Sequence, residues 1–319
     1  MIKAKIDEIN YHLAEKKETL QNLKKNNPDW NVDKIYEKVG VKFRYISSDA
    51  ETSLTLGVEA AKKFTQQKLK EIDCCIFVTQ TPDYLLPSNA CIAQDILGLR
   101  KNISAFDINM GCSGYIYALS VASSFIESSI FQNILIICGE TYTKFLNKND
   151  RATQPIFSDG GSATILKKSA SSKIGNFIFG TDGSGYEKLI FKNSGSSKKY
   201  ANQKPNIFMD GQAVLLFTMA NIPKLINDLL ETSNLSVEEI DFFLFHQASN
   251  VVLDNIQRKL KIPSNKLPRN SHYYGNTTSS TIPILMKDLI ENKKIKRGMK
   301  IVCCGFGVGL SYGATIVEY

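Results

Sequence analysis

The chain is poor in the residues that build metal centres. It carries three histidines and seven cysteines in 319 residues, with no Cys-x-x-Cys spacing. That argues against a zinc site, whose ligands come at such short spacings. The cysteine count is odd, and Cys74, Cys75, Cys138, Cys303 and Cys304 sit inside apolar runs. This excludes a disulfide framework and fits buried thiols in a reducing cytoplasm. Residues Met1 to Asn10 mix charged and apolar side chains without a secretory apolar segment. No uninterrupted apolar run approaches the ~20 residues that span a bilayer, so no membrane role is expected. The lysines are scattered rather than striped with aromatics, which excludes a nucleic-acid surface. The net charge of +8 suits acidic partners such as nucleotide phosphates or an acidic carrier protein.

Short, continuous, β-rich runs alternate with helical patterns, which argues for an α/β fold with layered sheets. Strands are expected at Cys74–Thr81, Ile103–Ile108, Ile134–Cys138, Ser162–Leu166, Ile174–Phe179, Asp241–Phe245, Lys300–Cys304 and Ala314–Val317. Helices are expected at Asn89–Leu97, Tyr115–Ser128, Gly211–Glu231, Val251–Leu260 and Ser280–Glu291. Ser236 and Glu239 have capping-box spacing. His12 reads as a solvated residue of an N-terminal helix, and His272 as a loop residue. The two parts of the chain share this rhythm, and the boundary falls near residue 170, giving halves 1–170 and 171–319.

The segment Asn109-Met110-Gly111-Cys112-Ser113-Gly114-Tyr115 places a cysteine where a strand gives way to a helix. Free backbone N–H groups and the positive end of the helix dipole there favour thiolate over thiol. Downstream, His246 closes the apolar run Phe243-Leu244-Phe245 and opens Gln247-Ala248. Asn276 lies in Tyr274-Gly275-Asn276-Thr277, just before a helix. Alone, such a histidine is a structural residue and such an asparagine a turn or cap. The segment Gly305-Phe306-Gly307-Val308-Gly309 leads into a strand, so its glycines do not form a dinucleotide fingerprint. A glycine turn between strands brings a backbone N–H close to a reacting carbonyl oxygen.

These four segments, in this order, resemble the thiolase-fold condensing enzymes, and most closely β-ketoacyl-[acyl-carrier-protein] synthase III. Val39-Gly40-Val41 with Arg44, Leu86-Pro87-Ser88, Ala105-Phe106-Asp107, Asp150-Arg151 and Phe157-Ser158-Asp159-Gly160-Gly161 extend the resemblance along nearly the whole chain. It implies a five-layered αβαβα fold of two related halves, a homodimer, and a tunnel ending at Cys112, His246 and Asn276. Cys112 would take an acyl group from acyl-CoA, with the backbone N–H groups of Cys112 and Val308 as oxyanion hole. His246 and Asn276 would hold the thioester oxygen of a malonyl group on CoA or an acyl carrier protein while carbon dioxide leaves. No cofactor is implied.

The chain departs from the family pattern around the substrate arm. Val308 stands where a third glycine is common, beside Gly307. Ser249 stands for an asparagine that holds the pantetheine arm, Val251 for an arginine, and Lys38 for another arginine. Trp30 is offset from the tryptophan that stacks on adenine, whereas Arg151 matches that stack's partner. Leu86 falls where one subunit caps the other's acyl pocket. These departures leave room for two further readings: acyl transfer to an alcohol or amine without condensation, and a silent thiolase-fold partner subunit. A papain-like Cys-His-Asn hydrolase fits the residue order but not the flanking glycines.

Overall fold

The computed structural model describes residues 3–170 and 174–319. The expected half boundary adjoins residues 171–173, which lie outside the described residues. The two larger of the four sheets among the described residues form on either side of it. The first has the strand order Lys3–Leu13, Gly160–Ser169, Asn133–Glu140, Cys74–Val78, Ser104–Ile108. Its last three strands are parallel and the first two join antiparallel. The second sheet runs Phe242–Phe245, Lys300–Gly307, Ser311–Glu318, Ile174–Thr181, with one parallel pair.

Strand periodicity explains the layering. In the run Cys74–Val78, residues Cys74, Ile76 and Val78 face a core shared with helices Gly114–Glu127 and Thr281–Glu291. Their neighbours Cys75 and Phe77 face the opposite way, onto helices Ser53–Ala61 and Asn89–Ile96. The second sheet repeats the pattern. Leu244 and Cys303 join the central core, while Phe243, Phe245, Val302 and Cys304 pack under helices Gly211–Thr232 and Asn250–Leu260. The result is helix, sheet, helix, sheet, helix: the five-layered αβαβα fold. Each fully buried Leu or Ile in the central layer contributes about 1.5–3 kcal/mol.

Three local findings differ from the sequence reading. The N-terminus is a long edge strand, not a helix, and His12 pairs with Gly161 inside it. Charged residues there alternate with buried Ala4, Ile6 and Ile9, which masked the apolar signal. His272 lies on the short helix Ser271–Tyr274, with Nδ1 3.0 Å from the Tyr36 hydroxyl. Helix Gly211–Thr232, at 22 residues, is the one described helix long and apolar enough to cross a membrane. It carries Lys224 and Asp228, and its Ile222, Leu225, Ile226 and Leu229 are buried against the second sheet. Pro223 removes the N–H that would bond the Met219 carbonyl, and Lys259 Nζ donates to that carbonyl instead at 2.9 Å. The capping box at Ser236 and Glu239 forms as its spacing predicts.

Candidate active site

Strand Ser104–Ile108 ends, the chain turns through Gly111 with Gly114 N–H donating to Gly111 O at 2.8 Å, and helix Gly114–Glu127 begins. Cys112 sits in that turn and is buried. The Ser113 and Ser311 hydroxyls lie 2.8 Å apart, tying this turn to the hairpin that joins the last two strands. The approach is so close that two positions admit no side chain. A Cβ on Gly305 would lie 2.7 Å from the Cys112 carbonyl oxygen, and one on Gly307 would lie 3.0 Å from the sulfur.

Burial pushes the Cys112 thiol up to about 12, and the nearby Glu140 charge adds to the rise. The backbone N–H groups of Cys112 and Val308 reach the sulfur and pull the other way. The resting group is therefore a thiol, contrary to the thiolate that the helix start alone suggests: loss of water outweighs the dipole.

His246 ends strand Phe242–Phe245, with its own N–H donating to Cys304 O at 2.8 Å. Its ring meets Phe306 edge-on, with centroids 5.6 Å apart. Burial drives the imidazole down to about 3, so it is neutral at working pH, despite a contribution from the Thr278 backbone that raises it. Its Nδ1 lies 2.8 Å from Thr281 Oγ1 and its Nε2 3.3 Å from Asn276 Nδ2. Asn276 is held by its backbone, whose N–H donates to Ile156 O and whose carbonyl accepts from Ser158 N–H, both at 2.9 Å. Its Oδ1 accepts the Thr278 N–H at 2.9 Å, which leaves the amide hydrogens facing His246.

Cys112, His246, Asn276, Ser249 and Gly307 line one cavity of about 110 Å³. A second cavity of about 720 Å³ lies beyond Tyr142 and Val308, and Leu189 lines both. The Tyr142 hydroxyl donates to Gln80 Oε1 at 2.9 Å, and its ring centroid is 5.1 Å from that of Phe157.

The remaining sequence candidates separate. The Ser249 hydroxyl caps helix Asn250–Leu260, accepting the Val252 N–H. The Arg151 guanidinium lies 5.8 Å from the Trp30 ring centroid, as a stacking pair would, but Trp30 is buried in a small cluster with Leu23 and Val32. Lys38 is exposed on the last turn of helix Val32–Val39. Leu86 is 82% exposed and lines neither cavity, though its neighbour Leu85 lines the larger one.

Three buried side chains beside the site went unread in the sequence: Glu140, Tyr142 and Thr281. Glu140 closes strand Asn133–Glu140, accepts from Gln80 N–H at 2.9 Å and the Thr81 hydroxyl at 2.7 Å, and is raised by burial to about 8. A carboxylate ending an apolar strand was its only signal. Asp159 is buried and takes hydrogen bonds from Ser47 and Thr143, bracing the wall.

Family models described as 3-oxoacyl-[acyl-carrier-protein (ACP)] synthase III and its C-terminal part match residues 106–183 and 230–319. β-Ketoacyl-[acyl-carrier-protein] synthase III of Clostridium novyi (strain NT) is 36% identical over 298 residues, 91% of each chain. A crystal structure of a 3-oxoacyl-(acyl-carrier-protein) synthase III superposes with a TM-score of 0.95 at 35% identity, covering 99% of this chain and 100% of the other. That of the Aquifex aeolicus VF5 enzyme gives 0.91 at 31%, with 99% and 100% covered. Fold, site geometry and these likenesses agree: the chain belongs to the 3-oxoacyl-[acyl-carrier-protein] synthase III family, a family of thiolase-fold condensing acyltransferases.

Proposed function

We propose that Cys112 carries the acyl group and that His246 and Asn276 drive the condensation. The observation that supports this most is the single buried cavity lined by sulfur, imidazole and carboxamide, with the Val308 N–H aimed at the sulfur. In the first half, sulfur attacks the carbonyl carbon of an acyl-CoA. The S–C bond forms, the oxyanion rests on the Cys112 and Val308 N–H groups, and CoA leaves with the proton of the thiol. In the second half, the C–C bond to the malonyl carboxylate breaks and carbon dioxide departs. The electron pair passes to an enolate whose oxygen accepts from His246 and Asn276. The enolate carbon attacks the acyl-enzyme, and the released Cys112 thiolate takes up a proton. A neutral carboxamide and a neutral imidazole donate without titrating in the working range.

Acyl-CoA and a malonyl thioester are the substrates, and an acyl carrier protein is the malonyl carrier in this reading. The seven free thiols favour a cytoplasmic setting. Exposed Tyr84, Leu85 and Leu86 favour a homodimer in which this loop meets a second copy. Arg151, Trp30, Lys38 and Ser249 are the substrate-arm residues of the reading, and of these Ser249 lines the same cavity as the sulfur.

Intact-mass spectrometry on a panel of acyl-CoAs, with carbon dioxide release from a carboxyl-labelled malonyl thioester, tests the reading. An acyl adduct absent in Cys112→Ala, followed by label release, is the expected result. An adduct without label release assigns acyl transfer instead, and no adduct with any thioester defeats both.

A further inference from the structure

Four residues close a ring of hydrogen bonds behind the site. Thr278 N–H donates to Asn276 Oδ1 at 2.9 Å, and Asn276 Nδ2 faces His246 Nε2 at 3.3 Å. His246 Nδ1 faces Thr281 Oγ1 at 2.8 Å, and the Thr281 hydroxyl donates to Thr278 O at 3.0 Å. Two bonds have fixed donors, the Thr278 N–H and the Thr281 hydroxyl, and the other two follow from the Asn276 amide. The Asn276 amide has only hydrogens to offer, so Nε2 presents a lone pair. A neutral imidazole then carries its one proton on Nδ1, where Thr281 Oγ1 accepts it and the Thr278 backbone adds a further contact with the ring. In this resting ring Nε2 cannot donate to anything.

The condensation needs the opposite. For the proposed chemistry, two donors must meet the enolate oxygen, one from Asn276 and one from Nε2. An oxygen acceptor placed before Nε2 favours the proton there and leaves Nδ1 as a buried lone pair, which is unfavourable if nothing donates to it. A hydroxyl both accepts and donates, and Thr281 reaches Nδ1 by turning its O–H bond away from Thr278 O, with no heavy atom moving. We propose that the Thr281 hydroxyl is a positioning group that selects the His246 tautomer, turning Nε2 from an acceptor facing Asn276 into the second donor for the substrate's thioester oxygen. The proton count is unchanged: Nε2, on the cavity side, takes one proton from water, and Nδ1 releases one to water when the buried ring transiently opens to solvent. Thr281 heads helix Thr281–Glu291 and is buried, and it does not line the cavity, so substrate contact does not explain it.

The test uses the full chain loaded from an acetyl- to octanoyl-CoA mixture and then given carboxyl-labelled malonyl-CoA. In Thr281→Val, label release should fall at least about 30-fold, while the rate of Cys112 acylation and the malonyl KM stay within about threefold. Thr281→Ala, which also lacks the hydroxyl, should match it, and Thr281→Ser should restore release to within about twofold. Wild-type release in Thr281→Val, a parallel fall in acylation, or failure of Thr281→Ser to restore would overturn the proposal. Asn276→Ala separates the two levels. If it loses release and Thr281→Val does not, only the tautomer role fails; if it keeps release, the reading of the site itself fails.

Discussion

Glu140 Oε2 accepts the Thr81 hydroxyl at 2.7 Å within a fully buried wall beside Cys112, and the same Thr81 oxygen accepts the Thr141 N–H at 3.0 Å. A carboxyl in this wall keeps its proton far above the ordinary 4.5, to about 8, because burial disfavours the charge. Folding is therefore favoured by this group fully below 4.5, and that contribution is lost as pH rises towards 8. His246, lowered from 6.5 to about 3, acts oppositely: its contribution is whole above 6.5 and is lost as pH falls. Between pH 6.5 and 8 only the Glu140 slope of this pair remains. The unfolding free energy should decline across that window with a slope on the order of 1 kcal/mol per pH unit, the melting temperature falling with it, and Glu140→Gln should flatten both. Parallel melts of the two proteins in that window check this.

Gly307 leaves no room for a methyl group, since a Cβ would stand 2.9 Å from Cys112 Cβ. Gly307→Ala should slow Cys112 acylation by about 10²-fold, through displacement of the sulfur and of the adjoining Val308 N–H. Time-resolved intact mass with a fixed acyl-CoA reads the rate, and a wild-type rate would show that the hairpin yields.

Tyr142 lines the larger cavity, and its ring packs on Phe157, which lines the small sulfur-lined one. Tyr142→Ala should admit acyl chains that the wild type excludes, at a stability loss of about 3 kcal/mol for the missing ring. Tyr142→Phe, which keeps the ring but not the hydroxyl, should leave the chain-length profile unchanged. Competition among acyl-CoAs of increasing length, read as adduct masses, distinguishes the variants.

Arg44 Nε donates to Glu18 Oε2 at 2.8 Å with both side chains nearly buried, and Nη1 donates to Phe157 O at 3.2 Å. Glu18→Ala strands the guanidinium and should cost about 3–5 kcal/mol, measured by denaturant unfolding. Replacing both residues by methionine should recover most of that loss, because no charge remains buried.

Features written within a few residues were legible in the sequence. Cys74–Val78 and Asn133–Glu140 announce themselves as apolar runs, and the glycine-rich segment is recognisable as a strand-to-strand turn because a β-rich run, not a helical one, comes after it. Cys112, His246 and Asn276 each stand at the end of an element, where side chains reach a common edge. The edge strand Lys3–Leu13 was not legible, because Lys5, Asp7 and Glu8 dilute its alternation and a bulge shifts its register after Ile6. Nor were Thr281 and Glu140. Their meaning comes from partners 35 and 59 residues away, His246 and Thr81, which no local pattern records. The Trp30 pairing with Arg151 was suggested by resemblance, but its burial among Leu23 and Val32 depends on packing that spacing does not reveal.

The middle helical layer belongs to both sheets at once, and the thiol hangs from its leading edge. Prying the sheets apart would strip away that layer's cover and open the sulfur to solvent in the same event. A bulky maleimide, too large for the narrow chamber, would then label residue 112 only as fast as the sandwich comes undone. The nucleophile doubles as a built-in clock for the cohesion of the whole molecule.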